Sequence, residues 1–256
     1  MRIRRKLPKP SAARPLYVVG YTFPAPPSNA LQRRYDMEYG GPLRLTPEST
    51  KLQIDREHET LVATHGPWRA RIRLVLPDED ANQWSERLDW RHPHIGLLAA
   101  TGTTPANAVD TILLTARLAR EFTLLTDGTA YDVATQAYLN PSDWKDLDLT
   151  SFHSADHVRV TQAESVRPGL DWFHTLGLSK FGLDEIELFQ PLGLPGTPVT
   201  KLLRELADEL IRRGHSPKVG DVIESPFVSR AVRVVRHRTA SPGGTPLILR
   251  EIQLLF

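Results

Sequence analysis

Cysteine is absent from this chain of 256 residues. Its absence excludes disulfides, thiolate nucleophiles and the zinc or iron–sulfur sites that cysteine ligates. Long apolar runs are absent too, because runs such as Ile95 to Ala100 fall far short of the roughly 20 residues in a membrane-spanning helix. The basic N-terminus lacks the apolar segment of a secretory signal. We therefore expect a soluble, cytoplasmic protein that does not insert into a membrane.

The sequence also lacks the glycine-rich motifs of several enzyme classes. It contains no Gly-x-Ser-x-Gly nucleophile elbow, no phosphate-binding loop ending in Lys-Ser or Lys-Thr, and no dinucleotide-binding fingerprint. We therefore expect no cofactor, and a non-enzymatic role is favoured over catalysis.

An excess of charge of one sign is missing as well. The chain has 32 lysines and arginines against 30 acids, which gives a net charge of +2. A nucleic-acid-binding protein usually concentrates basic residues on one face. Here they are dispersed, except in Arg2 to Lys9 and Arg230 to Arg238. We do not expect a nucleic-acid partner, an alternative that would rest on those two segments.

The patterns that are present mix strands and helices. Apolar residues that alternate with arginines predict a strand from Trp68 to Leu76. The pairs Thr104-Pro105 and Thr197-Pro198 predict the starts of two amphipathic helices, which run to about Phe122 and Arg213. Further strands are predicted at Leu16–Phe23, His94–Ala100, Phe122–Leu125, Thr129–Val133, Val158–Ala163, Arg230–Arg238 and Leu247–Leu255. The mixture predicts an α+β fold with mixed, largely antiparallel sheets and two main amphipathic helices packed on them.

The densest apolar and aromatic segment runs from Trp172 to Phe189. Trp172 to Leu178 is predicted to be a strand and Ser179 to Leu183 a turn. Asp184 to Phe189 is predicted to be a second strand, with carboxylates between its apolar positions. The segment therefore predicts a hairpin.

Composition divides the chain into three regions. Residues 1–15 are basic and proline-bearing, which predicts a flexible tail. Residues 16–90 form a strand-rich region, and residues 91–256 an α+β domain. Residues 146–156 are polar and irregular, so an internal boundary is predicted near them.

Three segments carry a likeness to a known family. The first is His94 to Ala100, which leads to Ala108 to Leu118. The second is Phe173 to Leu188, which contains the ordered motif Thr-Leu-Gly-Leu…Phe-Gly-Leu-Asp-Glu-Ile-Glu. The third is the helix to Arg213, followed by Gly220-Asp221. From about residue 94 to 256 the chain resembles the DUF4261-like proteins, a bacterial family of unknown function. The resemblance implies one continuous α+β unit and a bacterial origin. It implies no catalytic residues.

One candidate catalytic group lies in the predicted hairpin. On a strand, Glu185 and Glu187 face the same side about 7 Å apart. The turn can bring His174 near them, and a histidine with two carboxylates can bind a metal or move a proton. The alternative is that the polar side of the strand merely needs polar residues. His174, Glu185 and Glu187 are therefore the candidate residues of a metal-assisted hydrolase.

A second candidate metal site is the pair His92 and His94. Alternate residues of an extended segment can ligate one metal, as His-x-His pairs do. The alternative is a strand entry with a proline, Pro93, between two unrelated histidines.

The candidate binding residues lie elsewhere. On the strand from Trp68, the side chains of Arg69, Arg71 and Arg73 share one face at spacings of about 6–7 Å. They predict either a solvated sheet face or a platform for an acidic partner. Trp90 and His92 add an exposed recognition patch or, alternatively, core packing. Our first hypothesis is a non-enzymatic bacterial protein that binds another protein, in an immunity, defence-linked or assembly/adaptor role.

Overall fold

The structure of the protein, a computed structural model, describes residues 15–48, 59–75, 79–104, 106–165, 167–241 and 246–255. The chain forms two compact units. Unit 1 extends to Gly102 and takes in residues 114–131 and 139–142, while unit 2 comprises residues 103–113, 132–138 and those from Asp143 onward. Residues 1–14 of the predicted basic tail lie outside the described residues. The domain boundaries predicted after residue 90 and near residues 146–156 stay predictions.

Most of unit 1 consists of strands of a seven-stranded sheet, sheet A, and of helices. Its strands are β1 Tyr17–Tyr21, β2 Arg44–Pro47, β3 Glu59–His65, β4 Trp68–Val75, β5 His94–Thr101, β6 Thr129–Asp132 and β7 Ala137–Leu139. In space they follow the order β2-β3-β4-β5-β1-β6-β7. The pairs β2–β3, β3–β4, β4–β5 and β1–β5 are antiparallel. The strand predicted to begin at Trp68 is therefore confirmed. It is an inner strand of this sheet, between β3 and β5.

Three helices accompany sheet A: α1 Ser28–Tyr39, α2 Glu79–Leu88 and α3 Ala108–Thr126. The Phe122 ring of α3 packs edge-on against Tyr21 of β1, with ring centroids 5.3 Å apart. The strand predicted for Phe122–Leu125 is wrong, because these residues continue α3. A short apolar run does not distinguish a strand from a buried helical segment.

The start of α3 also differs from the prediction. The helix begins at Ala108, and Pro105, which was expected at its first position, lies outside the described residues. A turn precedes the helix, in which the amide of Asn107 donates to the Thr104 carbonyl at 3.1 Å. The Asn107 side-chain oxygen in turn accepts from the Thr104 amide at 2.6 Å. Asparagine therefore closes the turn where threonine and proline were expected to start the helix.

A six-stranded sheet, sheet B, forms the centre of unit 2. Its strands are β8 Arg159–Ala163, β9 Leu170–Leu176, β10 Glu185–Pro191, β11 Val222–Ile223, β12 Val232–Ala240 and β13 Leu247–Leu254, in the order β11-β12-β13-β10-β9-β8. Four neighbouring pairs are antiparallel, and β10–β13 is parallel. The short helix α4 spans Pro141–Lys145, and single 3₁₀ turns span Ser154–Asp156 and Leu178–Phe181.

Helix α5, Thr197–Arg213, packs on β8, β9 and β10 of sheet B. Its buried face consists of Val199, Leu202, Leu203, Leu206, Ala207 and Leu210 together with Glu209. The helix ends at Gly214, whose left-handed backbone (φ 71°) lets its amide donate to the Leu210 carbonyl at 2.9 Å. The predicted helix is thus confirmed, as is the α+β class with mostly antiparallel sheets. None of the helices in the described ranges has the length and apolar content to cross a membrane.

Candidate functional site

The predicted hairpin forms the middle of sheet B as β9 and β10. Its connection contains the 3₁₀ turn Leu178–Phe181, flanked by Gly177 (φ 121°) and Gly182 (φ 71°). A side chain at Gly177 would overlap the backbone carbonyl oxygen of His157, so this position requires glycine. The hairpin prediction is confirmed, and the register of β9 against β10 positions the three candidate catalytic residues.

Glu185 is bound by the hairpin turn itself. Its buried carboxylate accepts from the amides of Gly177 at 3.0 Å, Ser179 at 3.1 Å and Leu178 at 3.3 Å. The Thr175 hydroxyl donates to the same group at 2.8 Å. Burial raises the pKa of Glu185, although these hydrogen bonds act in the opposite direction. The Glu185 side chain therefore fixes the turn.

Glu187 forms a different set of contacts on the same face of sheet B. Its carboxylate is 0% exposed and accepts from the Trp172 indole N–H at 2.8 Å. Arg238 of β12 donates two N–H groups to the same carboxylate, at 2.7 and 2.5 Å. The Arg238 guanidinium also lies over the rings of Trp172 and Phe189, 5.0 and 5.7 Å from their centroids. Glu187 is therefore neutralised by a charge pair that two aromatic rings cover.

His174 lies directly opposite Glu187 in the register of β9 and β10. Its ring stacks on Trp172 with centroids 4.3 Å apart, and the residue is 1% exposed. Within the described part of the chain, neither ring nitrogen has a hydrogen-bond partner. Burial, followed by the charges of Arg238 and Arg159, lowers the pKa of His174 to about 4. At neutral pH this imidazole is uncharged.

The structure thus brings His174 and Glu187 together, while the Glu185 carboxylate binds the turn. A metal ion at this place would have to replace the Arg238 and Trp172 contacts of Glu187. Across residues 15–255, apart from the undescribed gaps, no group of three or more His, Cys, Asp or Glu side chains is arranged to hold a metal. The metal site at His174, Glu185 and Glu187 stays a prediction.

The rings of His92 and His94 lie on opposite faces of sheet A, where they contact strand β1. A side chain added at Gly20 would meet the rings of Trp90 and His92. The next residue, Tyr21, faces the other side and stacks on His94 with centroids 5.4 Å apart. Burial lowers the pKa of His92. The two predicted ligands therefore contact different aromatic partners.

The five predicted binding residues share one face of sheet A. Arg73 lies opposite Leu97, and Leu97 lies opposite Val18, so the three point to the same face. That face also includes the Gly20 position, which Trp90 and His92 cover. Arg69 and Arg71 follow Arg73 at alternate positions of β4, and Arg71 forms an ion pair with Glu48 at 2.6 Å. Arg69 is exposed, whereas Arg71 and Arg73 are half-buried.

A groove opens in sheet B where the two parallel strands separate. β10 and β13 pair at only three positions, which end at Glu187 opposite Glu251. Both strands then continue, to Pro191 and Leu254. The space between them is a cavity of about 570 Å³. We call it the β10/β13 groove, and its apolar lining includes Leu170, Leu188, Phe189, Leu194, Ile252 and Leu254.

The rim of the β10/β13 groove carries a charge pair. Arg167 donates to both carboxylate oxygens of Glu251, at 2.7 and 2.5 Å. Its guanidinium lies 3.9 Å from the centroid of the Phe189 ring. At the end of β10, Leu192 and Leu194 are 61% and 52% exposed. The groove therefore combines an apolar lining, exposed leucines and a rim whose charges cancel.

Sequence reasoning missed Arg167, Arg238, Glu251 and Leu194. Arg238 and Glu251 lie on strands that were predicted, but a strand pattern does not show which strands become neighbours in a sheet. Leu194 lies in a Gly-Leu-Pro-Gly turn, and only its exposure in the folded chain distinguishes it from other leucines.

No family model, no curated protein and no solved structure matches this chain. The resemblance to the DUF4261-like proteins therefore stays a prediction.

Proposed function

We propose that the protein is a non-enzymatic bacterial component, cytoplasmic in location, that binds another protein through the β10/β13 groove. An immunity, defence-linked or assembly/adaptor role fits this mode of action. The observation that carries the proposal is the groove itself, with its apolar lining and exposed leucines beside a paired, polar rim. An apolar centre inside a polar rim is the usual anatomy of a protein–protein interface.

The polar groups around the groove support binding rather than catalysis. Arg167 is engaged by Glu251, and Arg238 by Glu187. The Gln190 side chain donates to the Leu194 carbonyl at 3.2 Å, which stabilises the turn at the mouth of the groove. Each group thus has a partner that holds the surface in one shape. A surface fixed in this way loses little conformational freedom when a partner binds.

The arginine-bearing face of sheet A is a second contact surface in this proposal. Arg69, Arg71 and Arg73 share it with Trp90 and His92. Arginine and tryptophan are enriched at binding hot spots, and the exposed Arg69 favours an acidic partner surface. Arg69→Glu, at the exposed position, is expected to slow association with the partner and to weaken its dependence on salt.

The experiment is capture of the partner from the source bacterium, followed by reconstitution with the purified partner and calorimetry. Leu194→Glu places a charge at the mouth of the groove and is expected to weaken binding at least about 30-fold, as for an interface hot spot. Val219→Glu is the matched control, because Val219 is 54% exposed in the same unit and does not line the groove. Equal affinity of Leu194→Glu and the wild type, or no partner that survives reconstitution, overturns the proposal.

One observation favours a second candidate function, a metal-assisted hydrolase. His174 is buried next to Glu187, and both of its ring nitrogens lack a partner among the residues that the structure describes. A neutral imidazole beside a carboxylate is a ligand arrangement that divalent transition metals accept. Metal analysis of protein purified without added metal tests it. Stoichiometric metal that Glu187→Ala loses while remaining folded supports the hydrolase, and metal-free wild-type protein contradicts it.

A further inference from the structure

We infer that the occupant of the β10/β13 groove is an extended, uncharged apolar segment that adds as a strand between β10 and β13. This inference rests on the proposed function and names the class of partner. It follows from the backbone geometry of sheet B rather than from the apolar lining alone.

The inner edges of the two strands are available for pairing. Beyond Glu187, β10 continues to pair with β9 as far as Pro191 opposite Leu170. Beyond Glu251, β13 continues to pair with β12 as far as Leu254 opposite Val232. In the described chain, the sides of β10 and β13 that face each other have no strand partner over these residues. Unpaired strand edges are templates for an added strand.

The length of the free edge sets the length of the segment. Four residues of β10, Leu188 to Pro191, lie beyond the last paired position. At about 3.3 Å per residue they offer room for a segment of about four residues, or ~13 Å. Three residues of β13, Ile252 to Leu254, face them from the other side.

The two faces of the groove set the side chains that it accepts. Leu188 and Ile252 point to the face that α5 covers, and Val199 of α5 lines the groove there. On the opposite face lie Phe189 and the Arg167–Glu251 pair. Alternate residues of an inserted strand would therefore contact aliphatic side chains on one face and the Phe189 ring on the other.

The charges at the groove exclude a charged segment. Arg167 and Glu251 neutralise each other through two hydrogen bonds, so neither leaves a net charge for a ligand to pair with. A charged side chain would lose its hydration in the groove without gaining a partner. Proline is excluded as well, because it removes the amide that an added strand needs.

The experiment begins with selection of linear peptides from a phage-displayed library on the full chain. Selected peptides are expected to show alternating apolar residues, no proline and no charge over about four positions. Hydrogen exchange of the full chain with a selected synthetic peptide is expected to slow about tenfold or more at those amides of Leu188 to Gln190 and Ile252 to Leu254 that face the groove, because the added strand bonds or covers them. N-methylation of the peptide at alternate residues is expected to weaken binding about tenfold, since it removes donors.

The chain's lack of cysteine supplies a matched pair of blocking variants. Gln253→Cys, within the groove, is expected to lose peptide binding after reaction with a bulky maleimide. Ile248→Cys, exposed on the same strand but outside the groove, is expected to keep it after the same reaction.

The outcomes separate this inference from the proposed function. Slowed exchange at the edge strand β8 instead of the groove, unchanged exchange at both groove strands, or failure to select any peptide overturns the strand insertion. A protein partner whose affinity depends on Leu194, but which does not change the hydrogen exchange of the groove amides, supports the proposed function and overturns this inference. Peptide binding in the groove, when no protein partner is found, supports this inference and overturns the proposed function.

Discussion

Arg238 reaches over strand β13 to hold Glu187 of β10, although their two strands are not neighbours in sheet B. The contact consists of two charge-assisted hydrogen bonds to a fully buried carboxylate. It ties β12 to the hairpin through a side-chain link in addition to the backbone ladder. This ion pair is therefore one of the side-chain links between the hairpin and the C-terminal strands, together with the pair of Arg250 and Asp184.

Arg238→Met is expected to destabilise the protein by roughly 3 kcal/mol, because it leaves the Glu187 carboxylate buried without its charge partner. The double variant Glu187→Leu/Arg238→Met is expected to lose less than the sum of the two single variants. Urea denaturation at neutral pH measures all three. Lys201→Met is the control, because the ion pair of Lys201 with Glu205 is long, at 3.8 Å, and the Lys201 side chain is 72% exposed. Its loss of stability is expected to stay below about 0.5 kcal/mol. Additive single variants would contradict this account.

His174 is expected to make the protein less stable in acid. Its pKa falls from the ordinary 6.5 to about 4 on folding, so the unfolded chain binds the proton more tightly. The stability is then fully present above pH 6.5 and is lost as the pH falls from 6.5 toward 4, by ~3 kcal/mol at most. The free energy of unfolding of wild type minus that of His174→Phe should fall over this window.

The comparison for that pH series is His215→Gln, which removes an exposed imidazole from the same unit. A difference between wild type and His174→Phe that stays constant from pH 7 to pH 4 would show that His174 does not cause the acid sensitivity. NMR titration of the His174 ring protons gives an independent reading of its protonation.

Gly177→Ala is expected to cost more than about 3 kcal/mol, because the new methyl group meets a backbone oxygen and φ 121° disfavours any side chain. Gly182→Ala, at the other end of the same turn, is the matched variant. It has a left-handed φ of 71° but no atom within 4 Å of the new methyl group, so about 1 kcal/mol is expected. Thermal or urea denaturation compares them, and equal losses would refute the steric argument.

Glu185→Ala is expected to leave three backbone amides and the Thr175 hydroxyl without their acceptor. Since each unsatisfied buried group costs about 1–3 kcal/mol, the loss should reach several kcal/mol. Glu185→Gln keeps one acceptor oxygen and is expected to lose about half as much. A loss in Glu185→Ala no greater than that in Glu185→Gln would mean that the carboxylate does not hold the turn.

Local sequence patterns were sufficient for α5 and for the hairpin. The apolar period of α5 is unbroken from Val199 to Leu210, and Gly214 supplies the left-handed residue that ends it. The same reasoning failed at Phe122, because the apolar residues that follow it suit either a strand or a continuing helix. In α3 the hydroxyls of Thr123 and Thr126 donate to the carbonyls of Ala119 and Phe122 at 2.7 and 2.8 Å. Threonine in a sequence does not by itself predict such a bond within a helix.

The candidate site was only partly accessible to sequence reasoning. His174 and Glu187 belong to one hairpin, so a short-range register brings them together. Arg238 and Glu251 reach the same sheet from strands distant in sequence, and the order of those strands depends on packing of the whole unit. The β10/β13 groove depends on where a parallel pair stops, which no residue pattern in either strand specifies.

The position of β13 has a consequence for how unit 2 assembles. It comes last of the six strands in chain order, yet it lies between β12 and β10 and alone joins the two halves of sheet B. During translation the β8–β9–β10 half and the β11–β12 pair therefore remain separate until the chain up to Leu254 has left the ribosome. Closing so long a loop for a parallel pairing is slow. Over that interval the nascent chain presents two unfinished sheet edges, and unpaired edges are templates for association with other strands.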